Sequence, residues 1–183
     1  MSTLETLIER NDDFAEEHFT SGLALMPTLR TMVISCADPR VDPAHVLGLE
    51  PGEALVLRNI GGRITPSTLQ AMGMLQAIAQ VEGMYPPRGA FNLMVLHHTD
   101  CGITRLEGKQ ELLADYFGIE PAEVSAKAIA DPHAAVAVDV TTLKALNVLP
   151  KGWLISGLVY DVATGKVEVV VPPDAVEVAA SGD

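Results

Sequence analysis

The stretch Thr31-Met-Val-Ile-Ser-Cys36-Ala-Asp38-Pro-Arg40 decides the fold, because an apolar run passes directly into a segment of functional groups. The run from Thr31 to Cys36 is short and apolar, which is typical of a strand buried on both faces of a sheet. The polar residues after it then lie at the carboxyl end of that strand, where open parallel sheets form their sites. We therefore treat Cys36, Asp38 and Arg40 as candidate functional residues.

A second apolar run ends in the same way. Phe91 to His97 reads as a buried strand, and it leads into His98-Thr-Asp-Cys101-Gly102. Between the two runs lie a predicted strand, Glu53 to Arg58, and a predicted helix from Ser67 to about Glu82, which Thr65-Pro66 caps. Strands that alternate with helices indicate an α/β fold with a mostly parallel central sheet flanked by helices.

The remaining predicted elements complete a single domain over residues 1–183. A polar helix is predicted from Ser2 to about His18, and its thin apolar stripe leads us to expect it to pack on a neighbouring element. The predicted last two strands form a C-terminal antiparallel hairpin. Gly83 and Pro86-Pro87 are expected to end the helix that starts at Ser67. The other predicted helices are a short one that begins at Asp42-Pro43 and runs through Leu47, short helices over 103–130, and one from Asp131 to about Asn147. The strands of the hairpin are predicted at Trp153 to Tyr160 and Lys166 to Val171.

Composition excludes several classes of protein. The chain has 183 residues, of which 48% are hydrophobic, and its 12 Lys+Arg against 24 Asp+Glu give a net charge of −12. This hydrophobic content argues against disorder, and the acidity argues against nucleic-acid and membrane partners. The acidic N-terminus lacks a signal-peptide pattern and no apolar run is long enough to span a bilayer, so we expect a cytoplasmic protein.

The two cysteines, Cys36 and Cys101, are too few for a disulfide framework and suit a metal or catalytic role. If the second and third strands flank the first, both thiols and His98 converge at the point where the strand order reverses. Thiolate and imidazole are ligands that zinc prefers, and three protein ligands leave a fourth position, as in catalytic sites. Two buried free thiols are the alternative, which the nearby Asp38, Arg40 and His98 disfavour.

The spacing of Asp38 and Arg40 predicts a pair that acts beside this metal. An arginine fork can hold a carboxylate bidentately, so Asp38 can orient a zinc-bound hydroxide while Arg40 holds it. If Asp38 is released at lower pH, it can instead fill the open position on zinc. A structural ion pair at a strand end is the alternative. We expect His97, which alternates to the opposite face from His98, to pack or form hydrogen bonds rather than bind metal.

These motifs together resemble the β-class carbonic anhydrases. Cys36-Ala-Asp38-Pro-Arg40 matches the family's Cys-x-Asp-x-Arg, and His98-Thr-Asp-Cys101-Gly102 matches its His-x-x-Cys-Gly. Arg58-Asn59-x-Gly61 matches a further glycine turn of the family, so the likeness covers about residues 31–102. It is greatest to the small bacterial and fungal branch, which also contains carbonyl sulfide hydrolases.

The resemblance implies a role for each matched residue. Cys36, His98 and Cys101 would bind one Zn²⁺ per subunit, and Asp38 and Arg40 would form the catalytic pair. The chain would form a homodimer or homotetramer in which the N-terminal helix, residues 1–20, packs on a partner subunit. We also assign Gly61 and Gly102 to substrate binding, with a plain turn as the alternative for Gly61.

The implied reaction is reversible hydration of carbon dioxide to bicarbonate. Hydrolysis of carbonyl sulfide to carbon dioxide and hydrogen sulfide is an alternative, because it uses the same site and mechanism. A non-catalytic zinc-binding module is a further alternative.

Overall fold

The computed structural model describes residues 2–84, 89–146 and 149–175, and its centre is a five-stranded sheet. In chain order the strands are β1 (Thr31–Cys36), β2 (Ala54–Asn59), β3 (Phe91–His98), β4 (Trp153–Asp161) and β5 (Lys166–Ala175). Across the sheet the order is β2-β1-β3-β4-β5, with β5 alone antiparallel to its neighbour. The predicted α/β class, parallel sheet and C-terminal hairpin are confirmed.

The order of the strands determines where the site forms. β1 lies in the middle with all six residues buried, and its end residue Cys36 pairs with Asn59 of β2. On its other side β1 pairs with β3, where Ser35 lies opposite Leu96. The chain therefore leaves the ends of β1 and β3 beside the same crevice, as the sequence predicted, and this crevice is where ligands of open sheets bind.

Beside the sheet, the described residues form five α-helices and three short 3₁₀ segments. Capping side chains begin four of the helices at predicted residues, namely Ser2, Asp42, Thr65 and Asp131. The helices are α1 (Thr3–Glu17), α2 (Pro43–Leu47), α3 (Pro66–Val81), α4 (Gln110–Phe117) and α5 (Pro132–Lys144). The 3₁₀ segments are Ile60–Gly62, Gly102–Leu106 and Pro121–Lys127.

The boundaries differ from the sequence-based expectations in a few places. Only Gln110–Phe117 of the region 103–130 is α-helical, and β5 extends to Ala175 rather than ending at Val171. α5 ends at Lys144, and Asn147, where we expected its end, lies outside the described residues, as do Pro86 and Pro87. None of these differences moves a residue of the candidate site.

Two apolar clusters support the edge of the sheet where the site lies. The larger one packs α3 and α5 against the sheet, through buried residues that include Ile34, Leu93, Val95, Val140, Leu143 and Ile155. A second cluster surrounds Cys36 and Cys101 and joins them to α4 through Ile103, Leu113 and Phe117. In the described ranges, no helix is long and apolar enough to cross a membrane.

Candidate metal centre

Cys36, His98 and Cys101 meet at the carboxyl edge of the sheet. Cys36 is the last residue of β1, His98 is the last residue of β3, and Cys101 follows three residues later. One donor atom from each lies within 4.8 Å of the others, and the two Sγ atoms are 3.7 Å apart. All three residues are buried. The topology thus brings together the three residues that the sequence proposed as ligands.

The donor atoms fit a zinc ion. Zinc–sulfur bonds of about 2.3 Å in a tetrahedral arrangement separate two sulfurs by about 3.8 Å, close to the distance observed here. His98 Nδ1 donates to the carbonyl oxygen of Thr99 at 2.8 Å, which leaves the lone pair on Nε2. That Nε2 is buried and has no hydrogen-bond partner within the described part of the chain. A metal ion would satisfy this otherwise unpartnered nitrogen.

The environment of Cys36 favours its thiolate. The Cys101 thiol, which donates to Cys36, is the main cause that lowers the pKa of Cys36, while burial opposes it and the nearby His98 ring adds to it. Two backbone N–H groups also point at the sulfur, from Asp38 at 3.4 Å and from Gly61 at 3.3 Å. Since the thiolate is the form that binds metal, this arrangement prepares Cys36 as a ligand.

Asp38 and Arg40 form a bidentate pair beside the cluster. Arg40 Nε donates to Asp38 Oδ1 at 3.0 Å and Nη2 donates to Oδ2 at 2.7 Å. This pairing holds the pKa of Asp38 well below its usual range, so the carboxylate is ionised. Asp38 Oδ2 is 4.0 Å from His98 Nε2. The carboxylate therefore lies next to the metal-binding atoms while Arg40 fixes its orientation.

Asp100 holds Arg40 from its other side and is itself held by Arg105, and neither residue was given a role from the sequence. Arg40 Nη1 donates to Asp100 Oδ2 at 2.9 Å, and Arg105 Nη2 donates to Asp100 Oδ1 at 3.0 Å. Asp100 adopts a left-handed backbone conformation, with a φ of 51°. Its position inside the His98-to-Cys101 motif was the available signal, but only the fold shows that Arg40 is its partner.

Arg58 fixes the backbone of the loop that follows β1. Its Nε donates to the carbonyl oxygen of Cys36 at 2.9 Å, and its Nη2 donates to that of Asp38 at 2.7 Å. Its Nη1 donates to Asp42 Oδ2 at 2.7 Å. The sequence singled out Arg58 only as part of a glycine-turn motif. The structure shows that this motif supports the loop that carries Cys36 and Asp38.

The two glycines assigned to substrate binding occupy different environments. Gly61 is buried with a φ of 80°, and a Cβ there would lie 3.0 Å from the side chain of Ile103. The positive φ and this tight contact favour glycine at that position, and its N–H points at Cys36 Sγ. Gly102 is exposed, and a Cβ there would meet open space. A role of either residue in binding substrate stays a prediction.

His97 forms hydrogen bonds on the opposite face from His98, as predicted. Its Nε2 lies 3.2 Å from the carbonyl oxygen of Gly62 and 3.3 Å from Asp139 Oδ2. Asp139 also accepts from Arg63 Nε at 2.7 Å. Neither member of this buried ion pair was predicted from the sequence, although a single aspartate in the apolar stretch of α5 was a usable signal.

Comparison with known proteins agrees with this geometry. A family model described as carbonic anhydrase matches residues 31–167. Beta-carbonic anhydrase 1 of Mycobacterium tuberculosis is 28% identical over 174 residues, which cover 94% of this chain and all of that protein. The crystal structure of a carbonic anhydrase from Streptococcus mutans superposes with a TM-score of 0.70 and 31% identity, covering 93% of this chain and 98% of the other. The carbon disulfide hydrolase of an Acidianus strain is 33% identical over 98 residues, covering 52% of this chain and 43% of that protein.

Proposed function

Because this chain belongs to the β-carbonic anhydrase family, we propose that it catalyses the reversible hydration of carbon dioxide to bicarbonate. Cys36, His98 and Cys101 would hold one Zn²⁺ per subunit. The observation that carries the proposal is the buried Nε2 of His98, which has no hydrogen-bond partner among the described residues, faces both thiols and lies beside the Asp38–Arg40 pair. A purely structural zinc site would favour a closed shell of four protein ligands.

The chain's own residues would bind and orient the reacting groups. Zinc, when bound, supplies a Lewis acid that lowers the pKa of a water ligand to about 7 and so provides a nucleophile near neutral pH. The ionised carboxylate of Asp38 can accept a hydrogen bond from that nucleophile and direct its lone pair at the substrate carbon. Arg40 prevents Asp38 from rotating, because it binds both carboxylate oxygens.

A sulfur-containing substrate is the second candidate. The similarity to a carbon disulfide hydrolase supports testing carbonyl sulfide beside carbon dioxide, since both molecules are linear and differ by one atom. The same nucleophilic attack would give carbon dioxide and hydrogen sulfide. The ratio of kcat/KM for the two substrates on one preparation measures the preference.

The test of the proposed reaction is a stopped-flow assay of carbon dioxide hydration on the zinc-loaded protein. Cys101→Ser should abolish both zinc binding and turnover, because it removes one of three ligands. His133→Asn is the matched control, because His133 Nε2 lies 3.2 Å from Glu168 Oε2 on β5 and not at the metal centre. This substitution should leave the zinc content and the rate unchanged. Full activity in Cys101→Ser contradicts the assignment of the metal ligands. Bound zinc without turnover of either gas would instead support a non-catalytic module.

We further propose that two or four copies of this single domain assemble, with α1 packed on a neighbouring subunit. α1 has no buried residue along its described length. Its apolar side chains are instead exposed, among them Leu4, Leu7, Ile8 and Phe14. Apolar side chains that stay together on one exposed helix are typical of an interaction surface.

A further inference from the structure

A fully buried ion pair lies behind the candidate metal centre. The side chains of Arg63 and Asp139 are 1% and 0% exposed, and Arg63 Nε lies 2.7 Å from Asp139 Oδ2. The same carboxylate oxygen accepts from the backbone N–H of Ile64 at 3.3 Å, and His97 Nε2 lies 3.3 Å from it. Asp139 Oδ2 on α5 therefore accepts hydrogen bonds from the turn after β2 and from His97 on β3.

These contacts fix the turn formed by residues 59–63. His97 Nε2 also lies 3.2 Å from the carbonyl oxygen of Gly62, and Arg63 Nη2 donates to that of Lys127 at 2.7 Å. At the start of the turn, Asn59 Oδ1 accepts from the N–H of Arg63 at 2.8 Å. Hydrogen bonds therefore hold the turn at both ends. Asp139 is the charged group that binds its second end, through Arg63 and the N–H of Ile64.

The position of this turn sets a hydrogen bond to a proposed metal ligand. Gly61 and Gly62 have φ values of 80° and 67°, and the N–H of Gly61 points at Cys36 Sγ over 3.3 Å. A Cβ at Gly62 would lie 3.0 Å from the backbone nitrogen of Cys36, so the turn packs directly on the end of β1. A displacement of the turn would therefore move a donor away from the sulfur.

We propose that Asp139 and Arg63 are positioning residues for the metal centre, which hold the Gly61 N–H against Cys36. This inference rests on the proposed metal-binding role of Cys36. Buried ion pairs contribute little to stability compared with apolar replacements, because desolvation offsets the attraction between the charges. A role in placing the turn accounts for this pair better than stability alone. Hydrogen bonds from neighbouring groups are known to tune the affinity of metal ligands.

The test replaces the pair without leaving a buried charge. Arg63→Met/Asp139→Leu removes both charges, and Arg63→Lys keeps the positive charge but removes the guanidinium fork. Val140→Ala is the matched control, because this buried α5 residue packs on Gly157 of β4 and its apolar side chain donates no hydrogen bond and carries no charge. Zinc affinity is measured by chelator competition on protein whose folding is verified by circular dichroism. Exchange of the Gly61 amide hydrogen is measured on the metal-free proteins.

We expect the double variant to bind zinc about 10-fold more weakly, in line with the effect of other outer hydrogen-bonding partners. Its Gly61 amide should exchange faster, and its cobalt-substituted form should show a shifted thiolate-to-metal absorption band. Val140→Ala should melt at a lower temperature with unchanged zinc affinity and cobalt spectrum. The zinc affinity and the Gly61 exchange rate of Arg63→Lys should lie between those of the wild type and the double variant.

Three results would overturn the inference or separate it from the proposed function. A folded double variant with wild-type zinc affinity and wild-type Gly61 exchange contradicts positioning. Failure of both Arg63 variants to fold contradicts it as well, because the pair would then serve the fold itself. If the wild type binds zinc no better than Cys36→Ser, the proposed metal site fails, and Gly61 exchange alone decides whether the pair positions the turn.

Discussion

Arg40 is held by Asp100 on the side of its guanidinium that faces away from the Asp38 carboxylate. Its Nη1 donates to Asp100 Oδ2 at 2.9 Å and its Nη2 donates to the carbonyl oxygen of Asp100 at 3.0 Å. The same guanidinium binds both carboxylate oxygens of Asp38. Arg40 thereby links the loop after β1 to the loop after β3, and these loops begin directly after the proposed ligands Cys36 and His98. The orientation of Asp38 consequently depends on both loops.

Arg40→Lys should lower kcat/KM for carbon dioxide by about 10-fold to 100-fold, the range found for lost partners of metal-site residues. Lysine carries the same charge on a single nitrogen, which cannot bind both oxygens of Asp38 and also Asp100. Zinc content should stay at the wild-type level. Stopped-flow kinetics and metal analysis of the same samples measure both quantities.

Arg105→Lys is the control for this substitution. Arg105 touches Asp100 but not Asp38 among the described contacts, so its replacement should have a smaller effect on the rate. Equal rates for Arg40→Lys and the wild type, at equal zinc content, would show that the fork does not orient Asp38 for catalysis.

Removal of zinc should lower the thermal stability of the protein. A metal that binds only the folded chain stabilises it by about 2.7 kcal/mol at a free concentration 100 times its dissociation constant. Calorimetry with and without a chelator should therefore show a lower melting temperature after zinc removal, which added zinc restores. Cys101→Ser should melt at the same temperature under both conditions. If the wild type melts at the same temperature with and without zinc, the proposed metal site is contradicted.

The stability of the protein should decline at alkaline pH through Tyr116. Burial raises the pKa of Tyr116 to about 12, and its hydroxyl donates to the carbonyl oxygen of Ile60 at 2.7 Å. The unfolded tyrosine ionises near pH 10, so the stabilisation is complete below that pH and is lost as the pH rises towards the folded pKa. Tyr116→Phe lacks this ionisation, so its free energy of unfolding should fall less as the pH rises.

Urea unfolding one pH unit below and one pH unit above the ordinary tyrosine pKa of about 10 measures this effect. At the lower pH the wild type should be more stable than Tyr116→Phe by about 1 kcal/mol, the typical net contribution of a hydrogen bond. At the higher pH this difference should shrink. A difference that stays constant across the two pH values would show that Tyr116 does not ionise on unfolding.

The sheet and the proposed ligands were predictable because their signals are local. The apolar runs of β1 and β3 define buried strands, and each run leads directly to Cys36 or His98. The rule that parallel strands share a carboxyl edge then brings the two ends together. Asp38 and Arg40 are two residues apart, so their pairing requires only the loop between them.

The supporting contacts were not predictable because they join residues that are distant in the chain. Arg63 meets Asp139 across 76 positions, and Arg40 meets Asp100 across 60. An aspartate within an apolar helix indicates a buried partner, but the pattern does not say which basic residue it will meet. That choice depends on how α5 packs against the turn that follows β2, which is a tertiary property.

The exposed apolar side chains of α1 predict that the protein is oligomeric through this helix. Leu7 and Ile8 are each 54% exposed, although burial of such side chains stabilises a protein by about 1.5–3 kcal/mol each. Leu7→Asp/Ile8→Asp would place two charges in an apolar interface and should convert the assembly to monomers in sedimentation experiments. Asp13→Asn on the same helix is the control and should leave the assembly unchanged. If the wild type sediments as a monomer, or if the double variant sediments like the wild type, α1 does not join the subunits.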